Sequence, residues 1–155
     1  MVSVLFVCLG NICRSPMAEA VLRHKLRQQG LEEKVHVDSA GTGDWHVGAP
    51  PHHGTRAILA RQGISYEGIK ARQVKNEDLT RFDYIVVMED RNLAFIEQMV
   101  GTTDNRFCRL TDFIGDPNYT KVPDPYFTGD FEETYRLVEA GCEGLIRTIR
   151  AREEI

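Results

Sequence analysis

Apolar residues recur along the chain with two different periods. Val2-Ser3-Val4-Leu5-Phe6-Val7 is a short, nearly continuous, β-branched apolar run, the pattern of a strand buried on both faces. Gly10-Asn11 interrupt it. Ser15-Pro16 predict a helix start, with Ser15 as N-cap and Pro16 in the first turn. Ala18, Val21, Leu22 and Leu26 then trace one helical face, and Gly30 closes it. Val35 to Gly41 predicts a second strand, and Thr55 to Gln62 a helix ended by Gly63. Phe82 to Met88 predicts a third buried strand. A helix follows from Asp90 or Asn92 to about Gly101, and Arg106 to Leu110 makes a weaker fourth strand. Phe131, Tyr135, Val138, Cys142, Leu145 and Ile149 step by four and three, one face of a long last helix. Residues 41–51 and 111–130 lack periodicity and read as loops.

Strands separated by helices imply right-handed crossovers and a parallel sheet with helices on both faces. The fold class is therefore α/β, a four-stranded parallel sheet, and the 155 residues fit a single domain spanning 1–155. In such folds ligands bind beyond the carboxyl ends of the strands, so the loop after the first strand is the first candidate site.

Composition narrows the possible classes. At 42% hydrophobic and 27% charged the chain is an ordinary globular protein. No apolar run is long enough for a membrane span, and the start lacks a basic leader, so a cytoplasmic protein is expected. A net charge of −4 argues against binding nucleic acid through bulk charge. Residues 1–75 nevertheless carry 10 Lys+Arg against 6 Asp+Glu, an asymmetry compatible with an anion site there. Four cysteines, Cys8, Cys13, Cys108 and Cys142, are too few for a disulfide scaffold in a chain of this length. Cys108 in a strand and Cys142 on an apolar helix face fit core packing.

The loop Cys8-Leu9-Gly10-Asn11-Ile12-Cys13-Arg14-Ser15 differs from a plain turn. Successive N–H groups in a tight curl before a helix converge on one anion, and Gly10 and Asn11 tolerate the positive φ such a curl requires. Arg14 adds a guanidinium fork suited to phosphate oxygens. Cys8 enters at the base of this cradle, where the helix dipole, the N–H groups and Arg14 all favour its thiolate, a poised nucleophile. Cys8 and Cys13 have a C-x4-C spacing found in some zinc sites, but no second cysteine pair follows. The glycine pattern matches neither common nucleotide-binding loop.

These residues resemble the phosphate loop of the low-molecular-weight protein tyrosine phosphatases, which have C-x5-R-S-P at the end of the first strand. The resemblance continues through Asp38-Ser39-Ala40-Gly41, Gly48-Ala49-Pro50-Pro51, Ala71-Arg72-Gln73 and Phe82-Asp83-Tyr84-Ile85 to Asp124-Pro125-Tyr126-Phe127, in family order. It implies a flavodoxin-like fold and hydrolysis of phosphotyrosine in protein substrates, by a chain that is monomeric and needs no cofactor or metal. Cys8 attacks phosphorus, Asp124 protonates the leaving phenolate and then activates water, and Arg14 with the N–H groups of Leu9 to Ser15 holds the phosphoryl oxygens. Two Asp-Pro pairs are present; the resemblance selects Asp124 and leaves Asp116 as a turn residue. It also gives Asn11, Ser15 and Ser39 a supporting role, and matches Leu9, Ile12, Trp45, Tyr126 and Phe127 to positions lining the substrate cleft.

One position departs from the family. A His two residues before Ala-Arg-Gln is replaced by Ile69, so the support network is either shorter or closed by another group. Cys8 and Cys13 are close enough on a curled loop for a reversible protective disulfide; simple packing of Cys13 fits equally well. Two rival functions remain. A thioredoxin-coupled arsenate reductase shares the loop but needs a relay of further cysteines, and Cys108 and Cys142 do not read as one. A non-catalytic phosphoprotein-binding module needs no acid at Asp124.

Overall fold

The computed structural model describes all residues, Met1–Ile155. Four strands, β1 (Val2–Cys8), β2 (Val35–Gly41), β3 (Tyr84–Val87) and β4 (Phe107–Arg109), form one parallel sheet in the order β2-β1-β3-β4. The helices are α1 (Arg14–Gln28), α2 (His53–Arg61), α3 (Asn76–Arg81), α4 (Asp90–Val100), α5 (Pro125–Thr128) and α6 (Phe131–Glu153). The chain leaves β1 to one side for β2 and returns to the other side for β3. The carboxyl end of β1 is thus the point where strand order reverses, the place where α/β sheets open a crevice.

The two-residue period of β1 sorts its side chains. Val4, Phe6 and Cys8 join the larger core, packed with Met17, Leu22, Val138 and Leu145 of α1 and α6. Leu5 and Val7 join the smaller core, with Leu79 of α3 and Ile96 of α4. Because successive residues of a strand point to opposite faces, Cys8 is delivered to the α1 side. The start of α1 brings Ser15 to the same place.

Helix α1 ends as Gly30 predicts: Gly30 takes φ 68°, and its N–H and that of Leu31 donate to Arg27 and Leu26 carbonyls, closing the last turn. The start differs from expectation. The N-cap is Cys13, with no side-chain cap, and Ser15 lies inside the helix, using its hydroxyl on Cys8 instead. Two helices were illegible in the sequence. α3 is six residues long, too short to show a period, and α5 is a single turn inside the segment read as loop. A 3₁₀ turn, Leu110–Phe113, packs on α6. At that contact a Cβ added to Gly144 would lie 1.9 Å from the Phe113 carbonyl oxygen. Gly144→Ala is therefore expected to destabilise the fold by about 3 kcal/mol, the upper range for overpacking against backbone, seen as a lowered Tm.

Candidate active site

The eight residues from Cys8 to Ser15 curl at the carboxyl end of β1. Their carbonyls are tied outward. Cys8 and Leu9 accept from Thr42 and Gly43 N–H, Ile12 from His52 N–H, and Cys13 from Met17 N–H and the Thr55 hydroxyl. The N–H groups of Leu9, Gly10, Asn11, Ile12 and Cys13 donate to no backbone carbonyl. Carbonyls out and N–H groups free is the arrangement of an anion nest. Asn11 makes the curl possible at φ 56°, a left-handed conformation that Asn tolerates better than most residues.

The Asn11 side chain offsets that strain by making all its bonds. Its amide donates to Ser15 Oγ at 2.7 Å and Ser39 Oγ at 3.0 Å, and its oxygen accepts from Arg72 N–H at 2.9 Å. The Arg72 backbone is held in turn by ion pairs of its guanidinium with Asp38 and Asp78. The Ser15 hydroxyl lies 2.9 Å from Cys8 Sγ. Ser39 donates to Glu19 Oε1 at 2.6 Å, and Glu19 also pairs with Arg23. Ile69 is packed in the larger core, so the route the family leads through a His is apolar here and the polar chain ends at Glu19. Burial pushes the Glu19 carboxyl up to about 7, against the Ser39 bond and Arg23, which favour its ionised form.

Arg14 is 1% exposed. Its Nη1 donates to Glu89 at 2.5 Å and to the Val122 carbonyl at 3.0 Å, and its Nη2 donates to Asp124 at 3.3 Å. The buried Nε has no partner. One edge of the fork is therefore locked to the scaffold, and the other is left with unspent donors. Glu89, two residues past β3 and the N-cap of α4, was not singled out by the sequence; an acid near the carboxyl edge of a central strand was the available signal. Asp124 caps α5, accepting from Tyr126 N–H at 3.1 Å, with Pro125 as the first helical residue. This is the structural meaning of the Asp-Pro pair. Asp116 accepts from Asn118 N–H at 3.0 Å, the turn role expected of it.

Above the loop lies a cleft of about 360 Å³ lined by Cys8, Ile12, Trp45, His46, Asp124 and Tyr126, among others. Leu9, Gly10, Cys13 and Phe127 also line it, so the structure brings Leu9, Ile12, Trp45, Tyr126 and Phe127 together around one opening. Trp45 is nonetheless 67% exposed, and its ring rests on the backbone of Gly43, where an added Cβ would approach Trp45 Cζ3 at 2.0 Å. Gly43→Ala is expected to push the ring off the cleft mouth. KM for aryl phosphates should rise several-fold at nearly constant kcat, with a change in the fluorescence of this single tryptophan.

The remaining thiols are held as thiols. Cys13 is pushed up to about 12 by burial and by the nearby Asp124 and Cys8 charges. Cys108 is pushed up to about 12 by burial and Asp112. Cys142 is fully buried on α6 and points at the Ala18 carbonyl. All four cysteines are free.

The sequence pattern of the low molecular weight phosphotyrosine protein phosphatases matches residues 3–154. The chain belongs to that family. Among relatives of this phosphatase, the low molecular weight protein-tyrosine-phosphatase YfkJ of Bacillus subtilis is 50% identical over the full length of both chains. PtpA of Staphylococcus saprophyticus is 43% identical, covering 96% of this chain and 94% of the relative. The crystal structure of YfkJ superposes with a TM-score of 0.96 at 51% identity, over 98% of this phosphatase and 96% of YfkJ. A Drosophila arginine phosphatase superposes with a TM-score of 0.87 at 33% identity, over 95% and 97% of the two chains.

Proposed function

We propose that this phosphatase hydrolyses phosphotyrosine and other aryl phosphate monoesters in two displacements at phosphorus. The observation that carries the reading is the convergence of three groups on one loop: a buried cysteine, inward N–H groups without acceptors, and a guanidinium with one edge free. The phosphoryl group sits in the nest, its oxygens bound by the loop N–H groups and by the free edge of Arg14. Glu89 and the Val122 carbonyl hold the opposite edge, so Arg14 meets the substrate already oriented.

Cys8 Sγ attacks phosphorus in line, forming an S–P bond as the ester O–P bond breaks. Ser15 already accepts from Asn11, so its own proton is available to the sulfur and favours the negatively charged form. In the free protein Asp124 accepts from Arg14. A bound phosphoryl dianion competes for that guanidinium; Asp124, released from it and set beside the dianion, takes up a proton from solvent and passes it to the departing phenolate. Asp124, then a carboxylate, takes a proton from water, whose oxygen displaces the sulfur and releases inorganic phosphate.

The cleft supports an aryl substrate. Ile12, Trp45, Tyr126 and Phe127 offer apolar and aromatic walls, and a phenyl ring carries the phosphorus down to the sulfur where a serine ester falls short. Asp124 is the only carboxylate among the lining residues and is engaged with Arg14, so the cleft offers little to a guanidinium such as phosphoarginine. No helix is long and apolar enough to cross a membrane, and the thiols are free. We read the chain as a cytoplasmic monomer acting on phosphotyrosine proteins, without nucleic acid.

The test is hydrolysis of p-nitrophenyl phosphate and a phosphotyrosine peptide in the presence of chelator. A phosphoarginine peptide and thiol-dependent arsenate reduction are measured alongside. Aryl phosphate turnover well above the other two is expected. Arsenate reduction without it would overturn the reading in favour of a reductase, and phosphate binding without turnover would favour a binding module.

A further inference from the structure

We propose that Glu19 is a positioning residue for Cys8. It anchors the far end of a hydrogen-bond chain whose direction turns the Ser15 proton onto the nucleophilic sulfur. The inference rests on the reading of Cys8 as nucleophile. The chain runs Glu19, Ser39, Asn11, Ser15, Cys8, with links of 2.6, 3.0, 2.7 and 2.9 Å.

Its sense follows from counting protons. Above about pH 7 the Glu19 carboxyl is ionised and only accepts. The one proton of Ser39 therefore goes to Glu19, and Ser39 offers Asn11 only lone pairs. Asn11 must then face both serines with its NH₂, an orientation its oxygen reinforces by accepting from Arg72 N–H. Ser15 receives one of those N–H bonds, which leaves its own proton for Cys8 Sγ. Reversing any member would set two donors against each other or leave the sulfur without one.

Glu19 is an unusual residue to find here for packing reasons alone. It is 3% exposed, between the buried apolar residues Ala18 and Ala20 of α1, and burying a carboxylate is costly. The groups that bear on its charge are Arg23 from its own helix, Asp38 and Ser39 from β2, and Arg72 from the segment before α3. Arg23 and Arg72 favour the ionised form and Asp38 opposes it. Ile69 supplies no polar group from the position the family pattern gives to His. Glu19 is thus the acceptor that terminates the chain.

Alkylation by iodoacetamide, followed at the Cys8 peptide by mass spectrometry from pH 5 to 9, reads the sulfur without any phosphoester. Glu19→Met removes the acceptor while keeping a side chain of similar length. It is expected to slow Cys8 alkylation at pH 8, where the Glu19 carboxyl is ionised, about fivefold, the scale of weakening one hydrogen bond to a charged group, and to move the alkylation curve to higher pH. Glu19→Gln keeps an oxygen for Ser39 and should recover most of the rate. Ser39→Ala cuts the same chain, so it should match Glu19→Met, and the double variant should lose no more than either single one.

A wild-type Cys8 rate in folded Glu19→Met, or losses that add in the double variant, would overturn the proposal. Should Glu19→Met fail to fold, folded Ser39→Ala with an unchanged Cys8 rate would overturn it as well. A wild-type protein inactive on aryl phosphates would sink the proposed function while leaving the alkylation result readable.

Discussion

Cys8→Ser is expected to abolish phosphatase turnover, lowering kcat by about 10⁴-fold or more, while phosphate binding survives. The loop geometry explains why both halves should hold. Binding depends on the inward N–H groups and Arg14, and the substitution touches neither. Turnover, in the proposed mechanism, depends on the anionic form of the nucleophile. One hydroxyl donor, a helix terminus and a guanidinium favour a thiolate, but they fall far short of ionising a serine hydroxyl. The Ser15 hydroxyl, 2.9 Å from the sulfur, would face a serine hydroxyl, with no anion to receive its proton. Calorimetric titration with inorganic phosphate should give a Kd close to wild type, and a phosphotyrosine protein should be retained by the variant without being released as product. Substantial remaining turnover would mean that another group attacks phosphorus.

Asp124→Ala is expected to lower kcat by about 10²–10³-fold, the usual range for losing a general acid. The loss should depend on the leaving group. It should be smaller for p-nitrophenyl phosphate, whose phenolate departs readily, and larger for phosphotyrosine, whose phenolate needs the proton. Alanine also does two structural things: it removes the cap of α5 and leaves Arg14 Nη2 without its carboxylate. The first alone costs about 1 kcal/mol. Asp124→Asn separates these effects, because Asn caps a helix as well as Asp but carries no acidic proton of comparable use. The Asn variant should show the same kinetic loss with a Tm near wild type. A kinetic loss seen only in the Ala variant would reduce Asp124 to a structural cap.

The parts of the site legible in the sequence are those built from consecutive residues. The span Cys8–Ser15 combines a strand end, positive-φ residue types and a helix start within eight positions, so its curl follows from local sterics. Within that span one reading failed. Ser15-Pro16 looks like a cap and first turn, but the structure spends the Ser15 hydroxyl on sulfur and leaves the helix uncapped by any side chain. The exception falls where the N–H groups face the nest and a cap would compete for them. Asp124-Pro125 was legible as a pair but not as a cap, because a four-residue helix shows no period. Glu89 and Glu19 were not legible. Glu89 looks like any acid after a strand. Glu19 looks like a solvent-facing position until α1 is placed against both β2 and α6, which leaves it almost no access to water.

From the sequence alone came the alternation that sends Cys8 to the α1 side of β1, the curl that turns N–H groups inward, and the register of apolar faces that makes a parallel sheet. Each depends on φ/ψ sterics and on side-chain periods of 2 and 3.6, which operate over a few residues. The tertiary structure alone decided which distant groups meet the loop. Arg14 bonds to Glu89, 75 residues away, and to Asp124, 110 residues away. Asn11 reaches Ser39, and Ser39 reaches back to Glu19. Those meetings follow from strand order and helix packing. The order β2-β1-β3-β4 puts the ends of β2 and β3 on either side of the loop after β1, and α1 against β2 closes Glu19 from water.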